Sequence, residues 1–250
     1  PMPDSAETTV TAALLVIGDE ILSGRTKDKN IGYVAEYLTN VGIDLREVRV
    51  VPDIEAEIVA AVKTAKARGG WVTAHAHGAE GIKLAIRSGV RGIEHASLID
   101  DEGIALAKAR GTYLVMDVYN GDYIAEVGRR DGWSADILRK NDETTDAQRQ
   151  GFAKAVKAGV KLPFGSDAGV FPHGLQARQF AYMVRFGMTP LQAIRSATTV
   201  AAEFLGWDKD VGSLTPGRYA DMIAVRANPL EDVTELERVV HVMKGGVVVR

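Results

Sequence analysis

Three side chains that can bind a metal ion stand at the ends of separate apolar segments. His75 and His95 each close a short segment, and Asp167 follows a third one at 160–164. If these segments are strands of one parallel sheet, their carboxyl ends lie on the face where ligands usually bind. Two imidazoles and a carboxylate can hold Zn, Fe or Mn and leave coordination positions open. The sequence therefore predicts a divalent-metal site.

His77 is a candidate fourth donor, because residues two apart on a strand face the same side. An ion bound by these groups would lower the pKa of a water molecule, and Asp167 would take its proton as general base. A second interpretation stays open, in which the same residues remain from a former site and bind no metal. Such a former site would not catalyse a reaction, because an error of about 1 Å in the positions of the catalytic groups is enough to prevent it.

The composition limits the classes of function. Of the 250 residues, 46% are hydrophobic and 25% charged, and the net charge of -3 gives no reason to expect nucleic acid or an anionic membrane as partner. Without cysteine, any metal must be held by His, Asp, Glu or a modified Lys. Neither a membrane-length apolar run nor a signal peptide is visible, so we expect a cytoplasmic protein. Residues 1–3 read Pro-Met-Pro, which is typical of a trimmed tag.

Apolar segments alternate with amphipathic ones along most of the chain, which predicts an α/β fold of parallel βα units. Residues 118–141 are expected to form a lid-like loop with helical turns, and 146–158 a helix. The last 39 residues are expected to form a small β region with a hairpin turn at 244–246. The six predicted parallel strands are 12–17, 45–51, 71–74, 92–95, 112–117 and 160–164.

The amino-terminal part, about residues 11–63, resembles the molybdopterin-binding-like domain of competence/damage-inducible proteins. The resemblance rests on Leu15-Val16-Ile17-Gly18-Asp19-Glu20-Ile21-Leu22-Ser23-Gly24, Asp28-Lys29-Asn30, Val41-Gly42-Ile43 and Val48-Arg49-Val50-Val51-Pro52-Asp53. It implies a pterin or nucleotide site lined by Gly18, Asp19 and Glu20. The same three residues also fit a simple turn at a strand end. The glycine-rich loop of that family has no counterpart, since His75-Ala76-His77-Gly78 stands in its place.

From about residue 65 onward the chain resembles the amidohydrolase superfamily, near its Xaa-Pro dipeptidase and imidazolonepropionase-like members. The motifs are His75-Ala76-His77-Gly78-Ala79-Glu80-Gly81, Ile93-Glu94-His95, Phe164-Gly165-Ser166-Asp167-Ala168-Gly169, Pro172-His173-Gly174 and Gly212-Ser213-Leu214-Thr215-Pro216-Gly217-Arg218-Tyr219-Ala220-Asp221. The resemblance implies a (β/α)8 metallohydrolase with His75 and His95 as metal ligands. Asp167 would be ligand and general base, and His173 would lie near the substrate.

Two parts of the amidohydrolase pattern have no counterpart, namely a His-x-His pair on the first barrel strand and a carboxylated lysine on the fourth. We therefore hypothesise a chimera with fragments 1–70, 71–211 and 212–250, the first two packed as one domain. The parallel strands would form a partial or smaller TIM-like barrel, or an open sheet. Because a closed barrel needs eight strands, exposed sheet edges would favour a homo-oligomer.

Three functions are compatible with this sequence. The first is an engineered α/β scaffold with no intact active site and at most vestigial metal binding. The second is a metal-dependent amidohydrolase, with zinc or another divalent ion, that cleaves amide bonds of small peptides or cyclic amides. The third is a pterin- or nucleotide-binding module.

Overall fold

The computed structural model describes residues 10–17, 30–40, 42–52 and 54–250. The chain divides into two compact units, Pro1–Gly70 and Trp71–Arg250. Each unit has a parallel sheet of its own, and the second unit also has an antiparallel sheet. The fold is thus mixed α/β, with parallel βα units followed by a carboxyl-terminal antiparallel sheet, as predicted and as in part of a TIM-like barrel.

The first unit consists of strand β1 (Val10–Ile17), helix α1 (Asn30–Asn40), strand β2 (Ile43–Val51) and helix α2 (Glu55–Ala67). The two strands pair in parallel, as predicted. Gly42 joins α1 to β2 with a φ of 80°, a conformation that glycine adopts without strain. The candidate ligand loop Gly18-Asp19-Glu20 lies outside the described residues.

The second unit begins with strand β3 (Thr73–Ala76), helix α3 (Ala79–Ser88), strand β4 (Gly92–His95), helix α4 (Asp101–Arg110) and strand β5 (Tyr113–Val115). The strands pair in parallel in the order β3-β4-β5. Asp100 caps α4, since its carboxylate accepts a hydrogen bond of 2.7 Å from the backbone N–H of Gly103.

A buried apolar layer supports the carboxyl ends of these strands. Its members are fully buried and come from α3, β4, β5 and the segment after β5. They are Ile82, Ile86, Ile93, Leu114, Met116 and Val118. Because close packing leaves such side chains little freedom, the layer fixes the positions at which the strands end.

Residues 118–141 contain the predicted helical turns but are more regular than the lid-like loop expected around them. They contain helix α5 (Asn120–Tyr123), one π-helical turn (Ile124–Gly128) and the start of helix α6 (Ala135–Ala158). The first half of α6 was missed because its side chains are mostly polar or charged. It is stabilised instead by the Ser134 cap and by ion pairs of Arg139 with Asp136 and Glu143.

The sixth predicted strand is not a regular strand in the structure. Residues 160–164 have no regular secondary structure, and the backbone carbonyl of Lys161 accepts one hydrogen bond of 3.1 Å from the backbone N–H of Leu114. Pro163 has no N–H to donate, which interrupts the ladder two residues later. The expected six-stranded sheet is therefore absent from the described residues, where β1-β2 and β3-β4-β5 form separate sheets.

The remainder contains helices α7 (Arg178–Arg185), α8 (Pro190–Ala197) and α9 (Thr199–Leu205) and strands β6 (Met222–Ala224), β7 (His241–Lys244) and β8 (Val247–Val248). A 3-10 helix (Val233–Glu237) precedes β7. Gly245 and Gly246 form the predicted hairpin turn between β7 and β8. The homo-oligomer stays a prediction; β8 lies at a sheet edge with Val247 and Val248 at least 60% exposed. None of the described helices has the length and apolarity to cross a bilayer.

Candidate metal centre

The carboxyl ends of β3, β4 and β5 meet at one edge of their sheet. In the parallel register Ala76 pairs with His95, and Glu94 pairs with Val115, two residues before Asp117. One potential ligand atom each from His95, Asp117 and Asp167 lies within 4.8 Å of the others. The irregular segment after α6 brings Asp167 to this edge although it contains no regular strand. The expected convergence of His95 and Asp167 is therefore present, with Asp117 as an additional acid.

His75 lies directly beside this cluster. Its Nδ1 is 2.8 Å from Nε2 of His95, a hydrogen-bond distance. The two ring centroids are 4.9 Å apart. His75 is exposed, whereas 13% of the His95 side chain is accessible. The structure thus places two of the predicted ligands, His75 and His95, in direct contact.

His77 contacts the cluster through its ring and not through a free nitrogen. Its ring stacks on that of His95, with centroids 4.6 Å apart and planes inclined by 15°. Its Nδ1 lies 2.9 Å from Oγ of the buried Ser97. As a fourth metal ligand His77 stays a prediction, and its observed contacts serve to hold the ring of His95.

Asp117 is the most heavily hydrogen-bonded member of the cluster. Its Oδ1 accepts from Nδ1 of His95 at 3.0 Å and from Nε2 of Gln148 at 3.1 Å. Its Oδ2 accepts from Nδ2 of Asn120, and the same amide nitrogen donates to Oδ2 of Asp167 at 3.2 Å. Asn120 therefore links the two aspartates, while Gln148 links Asp117 to helix α6.

Backbone strain is concentrated at the same residues. His95, Ala96 and Asp167 have φ angles of 68°, 49° and 54°, and they are the only non-glycine residues with positive φ in the described ranges. Such conformations cost about 1–3 kcal/mol and persist where surrounding contacts enforce them. Gln148 supplies one such contact, since its Nε2 also donates to the backbone carbonyl of His95 at 3.3 Å. Strain of this kind clusters at functional sites.

The cluster shifts the pKa values of its members in opposite directions. Burial works to lower the pKa of His95, but the hydrogen bond and negative charge of Asp117 outweigh it and raise that pKa. Partial desolvation, followed by the nearby His95, lowers the pKa of His75 and of His77. Desolvation and then the charge of Asp117 raise the pKa of Asp167. Acids and bases displaced from their usual values are typical of functional sites.

The acids next to the histidines have other partners. Glu80 pairs with Lys83 at 2.8 Å. Thr73 donates a hydrogen bond of 2.5 Å to Glu94, whose pKa is raised by burial. The candidate substrate residue His173 lies in an exposed loop, where its Nδ1 is 2.9 Å from Nε2 of Gln176. Glu80, Glu94 and His173 are not in the group of potential metal ligands found among the described residues.

Sequence reasoning missed Asp117, Asn120 and Gln148. Asp117 ends the predicted fifth strand, so the rule that selected His75 and His95 would also have selected it. Asn120 falls in the segment interpreted as a loop. Gln148 is one polar residue on a helix, and its sequence position gives no sign that it reaches a residue 53 positions earlier.

We expect the His95–Asp117 pair to make stability depend on pH in the metal-free protein. Because the folded-state pKa of His95 is raised, its contribution is complete below the ordinary histidine pKa of 6.5 and is lost as pH rises through the folded-state pKa. The difference in unfolding free energy between the wild type and His95→Gln should fall above pH 6.5, by at most about 1.4 kcal/mol per pH unit.

Urea unfolding of chelator-treated protein, followed by tryptophan fluorescence, measures this difference. All three tryptophans lie in the second unit, so the signal reports the unit that holds the site. His241→Gln, at an exposed position of β7, is the matched control. A difference that stays constant or grows above pH 6.5 would contradict the assignment.

The donor set fits a divalent metal ion. One imidazole and carboxylate oxygens at a strained, partly enclosed edge are ligands that zinc and manganese accept. His95 is oriented by a carboxylate at Nδ1, the usual arrangement around a metal-binding histidine. His95 and Asp167 would hold the ion, with His75 beside them.

Comparison with known proteins places these observations in a family. Ochratoxinase of Aspergillus niger is 34% identical over an alignment of 203 residues that covers 76% of this chain and 40% of that protein. A crystal structure of a Xaa-Pro dipeptidase with bound methionine superposes with a TM-score of 0.74 at 42% identity, covering 78% of this chain and 48% of that one. The chain thus spans less than half the length of either protein.

A shorter match involves a different class of protein. A probable FAD synthase of Caenorhabditis elegans is 40% identical over 62 residues, a quarter of this chain and 12% of that protein. The sequence model of the Amidohydrolase family matches residues 29–249. That match begins inside the first unit and so does not support the predicted join between residues 70 and 71. The chain belongs to the Amidohydrolase family.

Proposed function

We propose that this chain is a metal-dependent amidohydrolase that cleaves amide bonds of small peptides or cyclic amides. The observation that carries the proposal is the convergence of His95, Asp117 and Asp167 within 4.8 Å at the carboxyl edge of a parallel sheet. Ochratoxinase and the Xaa-Pro dipeptidase, which are similar to most of this chain, favour an amide substrate. This proposal takes precedence over an engineered scaffold.

The residues of the cluster would have separate roles in metal binding and proton transfer. His95 and Asp167 would hold a divalent ion, zinc being the first candidate, and His75 would complete the donor set. Such an ion supplies a Lewis acid that polarises the amide carbonyl and lowers the pKa of water. Asp167 accepts the proton of the attacking water and returns it to the leaving amine. Its raised pKa suits this task, because a base works best when its pKa approaches the working pH.

Metal analysis combined with a hydrolysis assay tests the proposal. Protein purified with added zinc should retain about one ion per chain and release free amino acid from Xaa-Pro dipeptides or cleave ochratoxin. A chelator should abolish the release, and added zinc should restore it. Fully loaded protein that hydrolyses none of a broad series of dipeptides and cyclic amides would contradict it.

A scaffold built from two fragments and lacking turnover is the second candidate. It is favoured by the division of the chain at Gly70 and Trp71 and by the FAD synthase match. Failure to retain any metal, with cooperative unfolding preserved, would favour this candidate over the enzyme.

Binding of a pterin or nucleotide rests on Gly18, Asp19 and Glu20 alone, and no described residue contributes to it. Titration calorimetry of the chain with a pterin and with a nucleotide decides it. Absence of heat at millimolar ligand would remove this function.

A further inference from the structure

Asp117 is close enough to be a metal ligand, yet both of its oxygens are already engaged. Oδ1 accepts two hydrogen bonds, from His95 and Gln148, and Oδ2 accepts one from Asn120. Asp117 is also buried, with 6% of its side chain accessible. Asp167 differs, since it is exposed and its one hydrogen bond among the described residues leaves Oδ1 free.

The donors on Asp117 would keep only longer hydrogen bonds without it. Asn120 and Gln148 are both buried, and an amide nitrogen can only donate. If Asp117 turned its oxygens toward a metal ion, Asn120 would keep only its 3.2 Å bond to Asp167 and Gln148 only its 3.3 Å bond to the carbonyl of His95. Each hydrogen bond lost by a buried donor weakens the arrangement. The hydrogen bonds therefore keep Asp117 facing His95.

We propose that Asp117 is a positioning residue and not a metal ligand. Held by Asn120 and Gln148, it fixes the ring of His95 so that Nε2 points to the open side of the cluster, next to His75. Asp167 then supplies the carboxylate ligand. The metal-binding part of this inference rests on the proposed function, whereas the orientation of His95 does not depend on it.

The orientation has a consequence that can be measured without metal. An ionised carboxylate only accepts hydrogen bonds, so neutral His95 must carry its proton on Nδ1. Its Nε2 is then free of hydrogen and can accept from Nδ1 of His75, 2.8 Å away. The protein thus holds His95 in the tautomer whose free nitrogen faces the position of the ion.

Nitrogen-15 NMR of the histidine side chains in chelator-treated wild type tests this step, at a pH where the imidazoles are neutral. We expect His95 to be protonated at Nδ1. In Asp117→Asn the amide oxygen can still accept, so this tautomer should persist, whereas Asp117→Leu should give a mixture. A wild-type His95 protonated at Nε2 would overturn the inference, whether or not the variants fold.

Cobalt binding tests the second step. Outer partners of a ligating histidine typically change metal affinity by about 10–100-fold. Asp117→Asn should therefore weaken Co²⁺ by that factor while keeping one ion and the visible absorption spectrum of the wild type. Asp167→Asn, which removes a ligand, should change the spectrum or lose the ion. If Asp117→Asn alters spectrum and stoichiometry as Asp167→Asn does, Asp117 is a ligand and the inference is wrong.

Control variants and the wild type separate the possible failures. Gln150→Glu changes an exposed residue of α6 and should leave the cobalt spectrum and affinity unchanged. Gln148→Glu replaces the donor to Asp117 by an acid on the same helix and should weaken binding. Wild type that binds cobalt without hydrolysing any substrate contradicts the proposed function and leaves the role of Asp117 intact. Wild type that binds no metal also contradicts the function, and the tautomer of His95 then decides the role of Asp117.

Discussion

Asp167→Asn is expected to lower kcat for amide hydrolysis by about 10²–10⁴-fold, the usual contribution of a general base. The substitution should also reduce retained metal to well below one ion per chain, because it replaces the aspartate whose Oδ1 has no hydrogen-bond partner within the described ranges. Asparagine tolerates the left-handed backbone at this position, where φ is 54°. The loss would therefore reflect chemistry and not misfolding. Hydrolysis of a Xaa-Pro dipeptide and elemental analysis measure the two effects.

Asp208→Asn is the matched control, since Asp208 is exposed in a turn of the same unit. It should keep the turnover and metal content of the wild type. Equal activity and equal metal in Asp167→Asn would show that Asp167 is neither ligand nor base.

Phe152→Ala is expected to lower the unfolding free energy by about 3–5 kcal/mol, as for other large core aromatics. Phe152 is 1% exposed on α6, one helical turn after Gln148. Its removal leaves a cavity under the helix that holds Asp117, so metal affinity should fall as well. Urea unfolding followed by tryptophan fluorescence, together with a cobalt titration, measures both.

Ile137→Ala provides the comparison on the same helix. Ile137 is 46% exposed, and its truncation should cost about 0.5 kcal/mol and leave cobalt binding unchanged. If Phe152→Ala cost no more than Ile137→Ala, α6 would not be anchored by Phe152 and the support we assign to Gln148 would fail.

Local signals made much of the fold predictable. The capping box at α8, with Thr189, Pro190 and Gln192, can be recognised in the sequence because it depends only on residues within one turn. The parallel strands β1 to β5 coincide with segments that the sequence predicted as strands, which are bounded by glycine or polar residues. The first half of α6 was missed because its stability comes from charge pairs on an exposed face and not from apolar periodicity.

Contacts between distant residues were not predictable from local patterns. Residues 160–164 have the apolar character of a strand, but Pro163 and a single hydrogen bond to Leu114 leave them irregular. The candidate ligands His75, His95 and Asp167 were found because each follows an apolar segment. Their orientation depends on Asn120 and Gln148, whose side chains reach the site only through tertiary packing.

Anomalous diffraction from crystals grown with zinc tests the central claim, that this strand edge is a metal centre. The account predicts an anomalous peak at about 2.0–2.2 Å from Nε2 of His95 and from a carboxylate oxygen of Asp167. Asp117 should remain hydrogen-bonded to Nδ1 of His95. A zinc-saturated crystal with no peak at these residues, or with His95 turned away from Asp167, would contradict the account.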